Sequence, residues 1–270
     1  MKKYILLLAM MLMAASCTQK ESQKILVLYY SQTNTTKAVA EYICDQLGAD
    51  IEEITVVNPY DGSYQETIER CMKERQSGEL PEINPIAAKL ADYDVIFFGY
   101  PIWFGTCALP ALSALKAVDF SGMTIVPFCT FGSGGLEEGI RDLKAAQPKA
   151  NVLPGYGVRA SRIDAMPAEV DRFLLENGFV DGEFEEYEAF SEVRPATEEE
   201  IAIFDAAVGT YPMIQAKASK VSSRPIPGGT EYIFEAAAPG NPAFGDAPSA
   251  MKIYVVDIKG QEPAFTRVVR

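Results

Sequence analysis

The residues best placed to do chemistry in this 270-residue chain are small hydroxyls and amides: Ser31, Gln32, Thr33, Asn34, Thr35 and Thr36. They follow an apolar run, Ile25 to Tyr30, and lead into a helical pattern with Val39, Ile43 and Leu47 on one face. The loop contains no Lys, Arg, Asp or Glu. At the start of a helix, backbone N–H groups and the helix dipole favour an anion. The hydroxyls of Ser31, Thr33, Thr35 and Thr36 add donors, so one phosphate monoester held by hydrogen bonds needs no cation. Neither G-x-x-x-x-G-K-[ST] nor G-x-G-x-x-G occurs. The competing reading is that Thr35 only caps the helix.

Two further loops follow apolar runs. Pro101, Ile102, Trp103, Phe104 and Gly105 come after Val95 to Tyr100 and include the single tryptophan of the chain. An aromatic at a strand's carboxyl end offers a face to a flat ring, although a core or interface tryptophan gives the same pattern. Thr130, Phe131, Gly132, Ser133, Gly134 and Gly135 end the next apolar run. Their glycines let backbone approach a ligand closely, or make a plain turn. A phosphate grip, an aromatic plate and a glycine-lined wall together describe a planar ring on a monophosphate tail.

The elements that must position these loops alternate. Strands are expected at Ile25 to Tyr30, Ile51 to Val57, Val95 to Tyr100 (stopped by Pro101), Thr124 to Thr130 and Asn151 to Val158. Helices are expected between them, one of these over Ala111 to Val118, and a last one after the final strand over Pro167 to Asn177. That order predicts an α/β domain at 24–180, a doubly wound parallel five-stranded sheet with helices on both faces. Ligands of such sheets sit outside the carboxyl ends of the strands. Asp181 to Glu188 is an acidic connector. At 186–270 a helix opens on a Thr197/Glu200 capping box, with Ile201, Phe204 and Val208 as its stripe, and alternating runs follow. A small α+β domain, one helix on an antiparallel sheet, is the expectation there.

"YYSQTNTT", "GYPIWFGT" and "FCTFGSGG" resemble the three loops of one flavodoxin group, and the similarity spans residues 24–178. The resemblance implies FMN, with its phosphate at Ser31 to Thr36 and its isoalloxazine between the Trp103 loop and the Thr130–Gly135 loop. Asn34 stands where that group has Gly, and Thr35 where it has Asn. Asn tolerates a left-handed backbone better than most residues. The implied role is an electron carrier in which no side chain acts as general acid or base. The alternatives are an NAD(P)H-dependent quinone reductase and a binding module that has lost FMN. The tail, "ATEEEIAIFDAAV" through "AMKIYVVDI", is similar to cystatin-like domains. Its Pro225-Ile226-Pro227-Gly228-Gly229 lacks the glutamine of the inhibitory hairpin, so docking to a partner or a structural role is expected rather than protease inhibition.

At the N-terminus, Lys2 and Lys3 precede an apolar run from Tyr4 to Ala15, too short to span a bilayer as a mature helix. "AASC" resembles a bacterial lipobox. By that resemblance residues 1–16 are a signal peptide, Cys17 is acylated and anchors the protein to a membrane of the cell envelope, and 17–23 form a tether. Loss of Lys2 and Lys3 takes the net charge from −13 to −15. Such a surface argues against nucleic acid and suits redox partners with basic docking patches. Cys44, Cys71, Cys107 and Cys129 make no C-x-x-C pair and read as buried thiols. There is no histidine, which excludes His-dependent nucleophiles and His-ligated metal.

Overall fold

The computed structural model describes residues 23–209, 211, 214–239 and 248–270. The expected signal peptide, the Cys17 anchor and nearly all of the tether lie outside the described residues. The chain begins with β1 (Ile25–Tyr29), whose side chains are buried on both faces. Ile25, Val27 and Tyr29 pack with Val39 and Ile43, while Leu26, Leu28 and Tyr30 join the opposite core with Phe98 and Leu115. This is why the strand reads as a continuous apolar run.

Helix α1 (Thr35–Leu47) ends at left-handed Gly48. Strand β2 (Asp50–Glu53) and α2 (Tyr64–Ser77) follow, the helix opened by a Ser63/Glu66 capping box. Strand β3 (Val95–Trp103) turns back into the short β4 (Thr106–Cys107), and α3 (Leu109–Ala117) carries Pro110 in its first turn. Then come β5 (Thr124–Phe131), α4 (Leu136–Ala146), β6 (Asn151–Val152), β7 (Tyr156–Arg159) and α5 (Met166–Glu176). The strands pair in parallel in the order β2-β1-β3-β5, with β6 and β7 both on the far edge of β5. Counting β6 and β7 as one broken strand, the order is 2-1-3-4-5, with its switch point between β1 and β3.

Two prolines correct the expected strand limits. Pro101 does not stop β3, which continues through it to Trp103. A proline lacks only the N–H, and the Pro101 carbonyl still accepts from Ala108 N at 3.1 Å. The expected strand Asn151 to Val158 is broken into β6 and β7. The break lies opposite Pro127, since Val152 pairs with Ile125 and Tyr156 with Phe128. Pro127 has no N–H to give at that point.

The second domain is a five-stranded antiparallel sheet among the described residues. It contains β8 (Arg194–Pro195), β9 (Lys217–Ile226), β10 (Gly229–Ala238), β11 (Ser249–Ile258) and β12 (Ala264–Val269), ordered β12-β11-β10-β9-β8. Helix α6 (Glu198–Val208) packs Phe204 and Val208 against Phe234, Ile253, Val255 and Phe265. Its Thr197/Glu200 capping box forms as expected. The connector between the domains is exposed but fastened: Arg172 of α5 and Arg224 of β9 approach the Tyr187 ring at 3.4 and 5.0 Å.

Candidate functional site

At the carboxyl end of β1 the chain must turn sharply into α1, and Asn34 takes the left-handed conformation that does so, φ 62 and ψ 0. Asn34 is the N-cap but makes no side-chain cap, and α1 has no acidic residue in its first turn. The leading N–H groups of α1 have no intrahelical acceptor. Ser31 Oγ accepts from Lys37 N at 3.2 Å and keeps its own proton to donate. Thr33 and Thr35 place their hydroxyls 3.3 Å apart, with Thr33 exposed. This donor set, without a carboxylate, fits a phosphate at the positive end of a helix.

Two residues of the loop are engaged elsewhere. Gln32 accepts from Tyr30 Oη at 2.6 Å and donates to the Tyr60 carbonyl at 2.5 Å. Thr36 is buried, with its hydroxyl 2.8 Å from that of Thr130. That contact ties the first loop to the third across the end of β3.

The second loop is a tight hairpin. Ile102 pairs with Cys107 and Trp103 with Thr106, leaving Phe104 and Gly105 as a two-residue turn with φ 52 and 75. Positive φ at both central residues is the twist such hairpins require. Asp142 of α4 anchors the base by accepting from the Thr106 hydroxyl and from Cys107 N. Trp103 is half-buried and meets Tyr30 and Tyr60 edge-on at 5.8 and 5.3 Å. Phe104 is 52% exposed, with the Arg75 guanidinium 5.6 Å from its ring.

The third loop runs from buried Thr130 and Phe131 through Gly132, Ser133 and Gly134 to Gly135, whose φ of 117 opens α4. A side chain at Gly135 would strike Ile102 of the hairpin. At Gly132 it would come within 2.8 Å of Tyr211 Oη, and at Gly134 it would strike the Val268 carbonyl. The free space at these glycines is therefore taken largely by the chain's own second domain. Val268 N donates to the Ser133 carbonyl at 2.7 Å. Arg159, at the end of β7, donates to the carbonyls of Gly132 (2.8 Å) and Phe265 (3.0 Å). Its guanidinium lies 3.4 Å from the Phe265 ring centre, and burial lowers its pKa to about 10, so it stays charged at neutral pH.

A cavity of about 660 Å³ opens between these parts. The hairpin and the third loop line it, as do Thr67, Ile68 and Cys71 of α2, and Tyr211, Val268 and Arg270 of the second domain. Its volume falls within the range of cofactor and small-ligand sites. The Ser31–Thr36 loop does not line it. Sequence reasoning missed Tyr211, Arg159 and Arg270, since nothing in their local patterns links them to loops far from them along the chain.

Cys71, Cys107 and Cys129 are buried, and desolvation raises their thiol pKa values, so the site holds no activated thiolate. Among the described residues no His/Cys/Asp/Glu group is arranged to hold a metal, and no helix is long and apolar enough to cross a membrane.

Solved structures similar to the chain include a protein from Bacteroides eggerthii assigned as a flavoprotein. It is 28% identical, with a TM-score of 0.48, over 57% of this chain and 99% of that one. A Lactobacillus acidophilus flavoprotein in complex with FMN is 24% identical, with a TM-score of 0.46, over 56% and 97%. No curated protein matches. A family model described as flavodoxin matches residues 24–168, more than half of the chain, and by that match the chain belongs to the flavodoxin family.

Proposed function

We propose that the protein binds FMN and passes electrons, as a carrier anchored to a membrane of the cell envelope through Cys17. The carrying observation is the meeting of three separate loops at the β1/β3 switch point, one with a carboxylate-free donor set and two bordering a cavity of about 660 Å³. Ser31, Thr33, Thr35 and the first N–H groups of α1 would hold the phosphate. Ile102 to Gly105 and Thr130 to Gly135 would border the ring. FMN supplies the electron chemistry when bound, and the protein contributes binding, orientation and exclusion of water. Asn34 departs from the family's glycine, yet holds the left-handed turn that the glycine would hold. That supports retention of the site over its loss. Docking of basic partners is supported by the net charge of −13. A cystatin-like relationship of residues 186–270 is supported by one helix on an antiparallel sheet.

The test is the visible absorption spectrum of the chain from residue 18, before and after incubation with FMN. A bound-flavin spectrum is expected. Thr33→Val with Thr35→Val is expected to weaken binding at least about tenfold, since each removes one hydrogen-bond donor to a charged group. A wild-type chain that stays colourless after reconstitution refutes the reading.

A further inference from the structure

The cavity beside the hairpin has a wall that the flavodoxin domain does not supply. Tyr211, between α6 and β9, and Val268 and Arg270, at the end of β12, line it together with Trp103, Phe104 and the third loop. This wall is joined to the loop by backbone. Gly134 and Val268 form a parallel bridge, Val268 N donates to Ser133, and buried Arg159 holds the carbonyls of Gly132 and Phe265 together. Tyr211 is braced in place, edge-on to Phe265 at 5.3 Å and 5.2 Å from the Arg159 guanidinium.

Arg270 has no carboxylate partner among the described residues, while Glu138, the acidic residue of the cavity, pairs with Arg141 at 3.3 Å. The second domain thus presents an aromatic ring, an aliphatic side chain and an unpaired cation. Those groups suit a flat ring with a polar, electron-rich edge.

We propose that the C-terminal domain is part of the cofactor site: Tyr211 and Arg270 contact the ring that Ile102–Gly105 and Gly132–Gly135 border, so that both domains enclose it. The inference rests on the FMN reading. It gives the second domain a task at the site itself, distinct from docking to a remote partner.

The experiment measures FMN release from the loaded full chain, as the recovery of free-flavin fluorescence on dilution. Tyr211→Ala and Arg270→Gln are compared with Lys217→Ala, an exposed position on β9, three strands away from β12. Release is expected to accelerate about tenfold in the first two, the equivalent of one lost ring contact or charged hydrogen bond each. Tyr211→Phe should restore most of the wild-type rate. Arg270 is exposed, so its variant keeps the test valid if Tyr211→Ala loses its fold, which circular dichroism reports. FMN bound and released at the wild-type rate in both variants overturns this inference and leaves the FMN reading standing. Slower release in the variants also overturns it, because the wall would then hinder the ring. A wild-type chain that binds no FMN sinks both.

Discussion

Phe104 combines a φ of 52 with 52% exposure. A bulky side chain in the left-handed region is costly, and packing does not recover the cost here because half of the ring faces solvent. Strain of this kind collects where a side chain is held for a ligand. Phe104→Asn makes the Asn-Gly pair that two-residue hairpins favour. It should raise thermal stability by about 0.5–1 kcal/mol, even after loss of the weak contact with Arg75. FMN affinity should fall in the same variant. A loss of stability in thermal melts would show that the ring is held for the fold. Asn34 was legible in the sequence, because few residues other than Gly enter that conformation at low cost. Gln32 was not. Its partner carbonyl on Tyr60 lies 28 positions away, and no local pattern marks a side chain turned from ligand to scaffold.

Helix α6 shows what local signals carry and where they stop. The Thr197/Glu200 box was readable, because both partners lie within one turn. Burial of Glu200 was not, nor its two hydrogen bonds from Arg194 at 2.8 and 2.6 Å. These, followed by bonds from Thr197, lower the Glu200 pKa from 4.5 to about 2. A carboxylate with a depressed folded-state pKa binds its proton more readily when unfolded. Its contribution is therefore complete above pH 4.5 and is lost as pH falls toward about 2. Glu200→Gln keeps the capping box, which Gln also forms, and removes the charge that Arg194 bonds twice, so it should lower stability at pH 7 by about 1–2 kcal/mol. The difference from wild type should shrink between pH 4.5 and about 2 in denaturant melts. A difference independent of pH would assign the effect to packing. The proline corrections have a related cause. The sequence pattern marks Pro101 as a stop and gives no sign of the break opposite Pro127, because a missing N–H interrupts pairing only on the side where that N–H would have pointed. Strand neighbours decide that side, and they are set by topology.

The alternation of strand and helix made the first domain legible at the scale of the whole molecule, and one helix followed by alternating runs did the same for the second. Their union was not legible. Gly132 and Gly134 read as room for a ligand, whereas much of that room is filled by Tyr211 and by Val268, 134 positions beyond Gly134. Arg159 closes the joint as a buried cation bonded to one carbonyl from each domain. Arg159→Met keeps an apolar side chain of similar reach and removes both donors. The Phe265 carbonyl then loses a partner in a buried contact at about 1–3 kcal/mol, and the Gly132 carbonyl, on an exposed residue, loses less, offset in part by the charge no longer buried. Much of that loss falls on the contact between the domains, because the guanidinium bonds one carbonyl from each. Calorimetry of the wild type should show one transition. The variant should show two, with the second domain melting at the lower temperature and FMN released over the same interval. A single transition at the wild-type temperature would mean that the backbone bridge at Gly134 and the Tyr187 staple suffice without Arg159, and that the guanidinium serves the third loop alone.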